Sequence, residues 1–60
     1  MKYFYDLFVK YHDEPEERVV GRMLSLDEML ILFNFLLRER KRHFEQKTRN
    51  NHYPDYIRVE

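Results

Sequence analysis

The chain has 60 residues, with 11 Lys and Arg against 11 Asp and Glu, so its formal charge is zero. Sixty residues make a single domain that buries only about 60% of the surface its unfolded chain exposes. With no cysteine, disulfides, iron–sulfur clusters and Cys-bearing zinc centres are excluded. The zero is also uneven: residues 1–30 hold four basic and seven acidic side chains, −3, and residues 31–60 hold seven and four, +3.

Residues 3–12, Tyr-Phe-Tyr-Asp-Leu-Phe-Val-Lys-Tyr-His, are rich in aromatic and β-favouring types and predict a first strand. Tyr3, Tyr5, Leu7, Val9 and Tyr11 alternate onto one face, and Phe4, Asp6, Phe8, Lys10 and His12 onto the other. Residues 13–17, Asp-Glu-Pro-Glu-Glu, predict an acidic turn, because Pro15 presets φ and cannot continue a ladder. Residues 18–24 predict a second strand, in which Gly21, the only glycine, marks a bulge or a close approach.

Ser25-Leu26-Asp27-Glu28 is a capping box. The Ser25 hydroxyl can accept the Glu28 amide, and the Glu28 carboxylate can accept the Ser25 amide. Leu24 and Met29 stand at staple positions. Asp27 and Glu28 suit the positive end of the helix dipole. A helix over 26–47 is predicted, then a turn over 48–54 and a third strand over 55–59, with Pro54 suiting a sheet edge. The order ββαβ predicts an α+β fold: a three-stranded antiparallel sheet, the third strand beside the first, with one long helix packed across it.

The helix predicts a partner. Leu26, Met29, Leu30, Phe33, Leu37 and Phe44 form one stripe at spacings of three and four, while Ile31, Leu32, Phe35 and Leu36 fall largely off it. Between Met29 and Leu37 only Asn34 is polar. A three-stranded sheet covers one side of a helix, and a second copy is the simplest cover for the other, giving a homodimer through the helix.

Catalytic chemistry is poorly supplied. The lone Ser25 is spent as a cap, Thr48 lies near the predicted helix end, and one glycine cannot build a phosphate loop. The chain is expected to be non-enzymatic and to need no cofactor. His12-Asp13-Glu14 beside the turn reads as a solvated strand end in preference to a metal centre, since the spacing that defines a tetrahedral site is missing. His43 is expected on the exposed helix face near Glu39, and His52 in the turn. The longest unbroken apolar run, Met29 to Phe33, is far short of the roughly 20 residues a spanning helix needs. The N-terminus lacks signal-peptide character, so a cytoplasmic location without membrane contact is expected.

Two surfaces suggest binding. Arg38, Arg40, Lys41 and Arg42, with Lys47 and Arg49, are the nucleic-acid candidate, although Glu39 and Glu45 interrupt them and late basic residues also complement the helix dipole. Phe4 and Phe8, with Tyr56, would form an aromatic interaction patch if the helix covers the other face of the sheet.

The segment Leu24-Ser25-Leu26-Asp27-Glu28-Met29-Leu30-Ile31-Leu32-Phe33, with the ββαβ order, resembles the small uracil-DNA glycosylase inhibitors encoded by phages related to phi29. The resemblance implies a dimer formed through the helices and mimicry of DNA. Apolar residues at the dimer groove would hold the enzyme's DNA-intercalating side chain, and flanking acids would imitate phosphates. Met29 and Phe33 stand where that family has helix aromatics; a thioether replaces a ring at Met29, and this chain is neutral where the family is acidic. The expected partner-binding set is Met29, Leu32, Phe33 and Leu36 with Asp13, Glu14, Glu16, Glu17 and Glu28. Asp27 and Glu28 are expected to join the acidic turn in one negative surface, remote from the basic helix end. The function expected is that of a small non-enzymatic protein-binding inhibitor, acting in the host cytoplasm if the chain is phage-encoded. Its alternatives are a nucleic-acid-binding module and a structural assembly subunit.

Overall fold

The structure, a computed structural model, describes residues 3–46 and 50–60. Strand β1 spans Tyr5–Tyr11, β2 Arg18–Leu24, helix α1 Leu26–Gln46 and β3 Pro54–Val59. The sheet has the order β2-β1-β3 and both pairings are antiparallel, as the sequence predicts. Lys47, the predicted last helical residue, and the start of the predicted 48–54 turn lie outside the described residues. Beyond the strands proper, reciprocal backbone bonds between Asp6 and Glu60 (2.8 and 2.9 Å) and a His12 N–H bond to the Tyr53 carbonyl (2.9 Å) extend the β1–β3 ladder at both ends.

The capping box is formed. The Ser25 amide donates to Glu28 Oε1 at 3.1 Å and the Glu28 amide to Ser25 Oγ at 3.2 Å. Loss of such a cap costs about 1 kcal/mol. The Glu28 carboxyl is held below its ordinary range, first by the Ser25 backbone bond.

At the far end of β2 the chain has to turn sharply into α1. Met23 takes a left-handed φ of 53°, and Asp6 Oδ1 accepts its N–H at 2.9 Å. Gly21 faces Leu7 where the β1–β2 register shifts. A Cβ there would lie 2.8 Å from Leu24 Cδ1, so this glycine serves a close approach, with no positive φ.

The core is Leu7 and Val9 of β1 with Met29 and Leu36 of α1. Tyr5, Tyr11, Val20, Leu24, Leu32, Phe33 and Ile57 pack around it. The helix therefore covers the Tyr5–Leu7–Val9–Tyr11 face. Its rotation differs from the stripe read in the sequence. Leu36, placed off the stripe, is 4% exposed, while Leu26, Leu30, Leu37 and Phe44 are 51%, 42%, 41% and 53% exposed. The physical reason lies at the helix end: Tyr53 stacks on His43 with ring centroids 4.0 Å apart, which turns the His43 side of α1 toward the sheet. His43 is thus half-buried against an aromatic ring and not on the exposed face.

Candidate functional site

Two regions carry the expected binding residues: the acidic turn at one end of the sheet, and the helix surface left uncovered by it. Three of the four turn carboxylates are already engaged. Asp13 lies 3.0 Å from His52 Nδ1, and this hydrogen bond lowers its pKa. Glu14 accepts from Arg18 Nε at 2.7 Å and from Arg18 Nη2 as well. Glu17 accepts from Arg58 Nη2 and Nε at 2.9 and 3.1 Å, which holds it below the usual carboxylate range. Glu16 is exposed and without an ion pair among the described residues.

These acids do not join the helix start in one surface. Tyr5 pairs with Leu24, so α1 begins at the opposite end of β2 from the turn, a separation of about 20 Å along the strand. The helix then runs back toward the turn. His43 stacks on Tyr53, Tyr53 stacks on His12 at 4.9 Å, and Tyr11 feels the charge of both Glu39 and Glu14. The basic half of α1 thus lies at the acidic-turn end. The expected separation of charge is reversed: a hairpin followed by an antiparallel helix brings the basic stretch 38–42 of α1 back to the acidic-turn end.

Met29 and Leu36, two members of the expected partner-binding set, are core residues at 7% and 4% exposure and present no binding surface. Leu32 and Phe33 are half-buried at the two edges of the helix. Leu32 lines an apolar groove of about 290 Å³ between α1 and β2, with Val9, Val19, Val20, Phe35 and Leu36. Phe33 lines a second hollow of about 270 Å³ between α1 and β3, with Leu37, Arg40, Tyr56 and Ile57. Beside this hollow Leu26, Leu30, Leu37 and Phe44 remain exposed along the helix.

The other sheet face is less open than an aromatic patch requires. The Arg58 guanidinium sits 4.2 Å over the Phe8 ring and the Tyr56 hydroxyl donates to Glu17, so the exposed rings are Phe4 and the outer side of Tyr56. The basic side chains are more available: among the described residues Arg38 and Arg42 have no ion pair, whereas Lys41 meets Glu45 at 3.8 Å and Arg40 covers Phe44. Arg38, Arg42, Phe35 and Glu39 line a hollow of about 200 Å³.

All three histidines gather at the turn end. His12 pairs with Asp55 at 3.1 Å, so it is His52 that approaches Asp13 and Glu14; the ligand atoms of these three lie within 4.8 Å of one another. A cation there would have to displace Arg18 from Glu14 and the His52 N–H from Asp13. The structure thus uses the cluster to tie the turn to the segment before β3, with His52 stacked on Tyr11 at 4.2 Å. One signal in the sequence marks this junction: Tyr11-His12 is mirrored by His52-Tyr53, as two antiparallel neighbours would place them.

The fold and surfaces define a small α+β domain whose helix is apolar beyond what its sheet covers. Comparison with protein-family models, curated proteins and solved structures returned no match.

Proposed function

We propose that this chain is a small non-enzymatic interaction protein that binds and inhibits another protein. The observation that carries the reading is the row Leu26, Leu30, Leu37 and Phe44, each more than 40% exposed, beside the hollow under Phe33. A soluble domain rarely exposes a contiguous apolar strip unless something docks on it. Arg40 and Asp55 at the hollow supply polar contacts that would orient such a partner. The homodimer belongs to this reading, because Ile31 and Phe35 stay exposed on the outer side of the same helix.

The target that the helix-start resemblance names is uracil-DNA glycosylase. What supports this version is that Leu32 and Phe33 of the expected set line hollows on either side of the helix and that Glu16 is an exposed turn acid with no ion pair among the described residues. A uracil-excision assay with stoichiometric protein tests this version; full enzyme activity at saturating protein would sink it. Substituting Leu37→Asp and Leu30→Asp should abolish binding of any protein target while the fold, read by circular dichroism, is kept.

A second reading, nucleic-acid binding, is favoured by the unpaired Arg38 and Arg42 flanking Phe35. It requires probe binding that weakens steeply with salt. Absence of retention on single- and double-stranded probes at low salt removes it.

A further inference from the structure

The outer side of α1, opposite the core, carries two rows at spacings of three and four, Asp27–Ile31–Asn34–Arg38 and Ile31–Phe35–Arg38–Arg42. Ile31 is 67% exposed and Phe35 52%. Among the described residues Asp27, Arg38 and Arg42 have no ion-pair partner. The order along the helix is therefore one unpaired acid, an apolar pair, then the unpaired bases Arg38 and Arg42, with Lys41 and Glu45 on the same side already paired to each other.

We infer that this face binds a second copy of itself with the two helices antiparallel, the two-fold axis crossing the outer side of α1 midway between Ile31 and Phe35. The inference rests on the interaction-protein reading and specifies its self-association. About that axis Ile31 stands level with Phe35 of the other copy, and Asp27 comes within one residue, about 1.5 Å of rise, of the level of Arg38 of the other copy. Both contacts occur twice, because the interface is isologous. A parallel arrangement would set Asp27 against Asp27 and Arg38 against Arg38, and repel. Asn34 lies one residue from the axis, where a polar residue in an apolar seam sets register. The groove between α1 and β2 opens beside Phe35 and extends the apolar surface that a second helix covers.

The test is sedimentation equilibrium of the full chain and of Asp27→Arg and Arg38→Asp variants. Each variant alone is expected to weaken the dimer at least about tenfold, since two like-charge contacts replace two ion pairs. An equimolar mixture of the two, and the double variant Asp27→Arg/Arg38→Asp in one chain, should regain wild-type affinity. Ile31→Lys should remain folded by circular dichroism and sediment as a monomer. A dimer that the single reversals leave unchanged overturns this face and orientation but leaves self-association standing. A wild-type chain that is monomeric at tens of micromolar overturns both, and leaves the docking row of Leu30 and Leu37 to be judged by its own binding assay.

Discussion

The Arg58 guanidinium lies 4.2 Å above the Phe8 ring and at the same time forks onto Glu17 across the sheet. Arg58 and Phe8 are directly paired between β3 and β1, so the cation covers a ring that would otherwise face water. Glu17 stands just before β2, and the fork therefore links the two edge strands over the central one. Glu60 adds a second carboxylate to Arg58 at 3.1 Å.

Arg58→Ala should lower the thermal midpoint and raise the exposure of Phe8. Arg58→Lys should recover only part of the loss, because an ammonium supplies neither the planar fork nor the ring stacking. Thermal melts of the three proteins at equal concentration check the order wild type, Lys, Ala. Equal midpoints for Lys and wild type would show that charge alone acts here.

Acid should destabilise the fold through a small group of carboxylates. Glu17, Asp13 and Glu28 are each held below their ordinary values, by Arg58, by His52 and by the Ser25 amide respectively. A depressed carboxyl contributes stability that is present above its unfolded pKa and is lost as pH falls through the folded value. Stability is therefore expected to hold down to about pH 5 and to fall progressively below about pH 4. Urea titrations at several pH values measure this, and Glu17→Gln should flatten the acid-side slope.

Met23 occupies a left-handed conformation that suits Asn or Gly, and its side chain is 70% exposed. Little contact is lost on replacing it. Met23→Asn should raise stability by about 0.5–1 kcal/mol, and Met23→Val should lower it by a similar amount, since left-handed backbone costs an ordinary L-residue roughly 1 kcal/mol or more. Chemical denaturation of both variants decides; a stabilising Val would mean the turn takes another conformation.

Leu36 and Leu37 are neighbours with opposite fates, at 4% and 41% exposure. Leu36→Ala should cost about 2–5 kcal/mol, a large share of the roughly 3–9 kcal/mol expected for a domain of this length. Leu37→Ala should cost less than about 1 kcal/mol. The comparison reads the rotation of α1 on the sheet directly, and a larger loss at Leu37 would reverse it.

The elements were legible because their signals are local. Alternation marked β1, Pro15 marked the turn, and Ser25 and Glu28 marked the helix start within a residue. Gly21 announced a close approach, and Leu24 proved to be the side chain that needs it. The binding set was less legible. Met29 and Leu36 looked as available as Ile31 and Phe35, since all four belong to a run with one polar break at Asn34. Two of the three engaged turn acids, Glu17 and Asp13, looked free because their partners Arg58 and His52 stand 41 and 39 positions away, whereas Glu14 meets Arg18 only four positions on.

Although β1 proved shorter than the predicted 3–12 and β3 began one residue earlier, at Pro54, the sequence by itself determined the order ββαβ, the start of the helix and the surplus of apolar helix surface over what three strands cover. Each depends on the residue's own conformational preference or on neighbours within one helical turn. Only the tertiary structure decided which side of α1 is buried and how the charges are shared. A helix apolar on nearly every side has no preferred rotation of its own; packing against Leu7 and Val9 and the Tyr53–His43 stack chose one. Charges likewise interact through space, and the return of α1 over the sheet brought the basic stretch of the helix to the acidic turn.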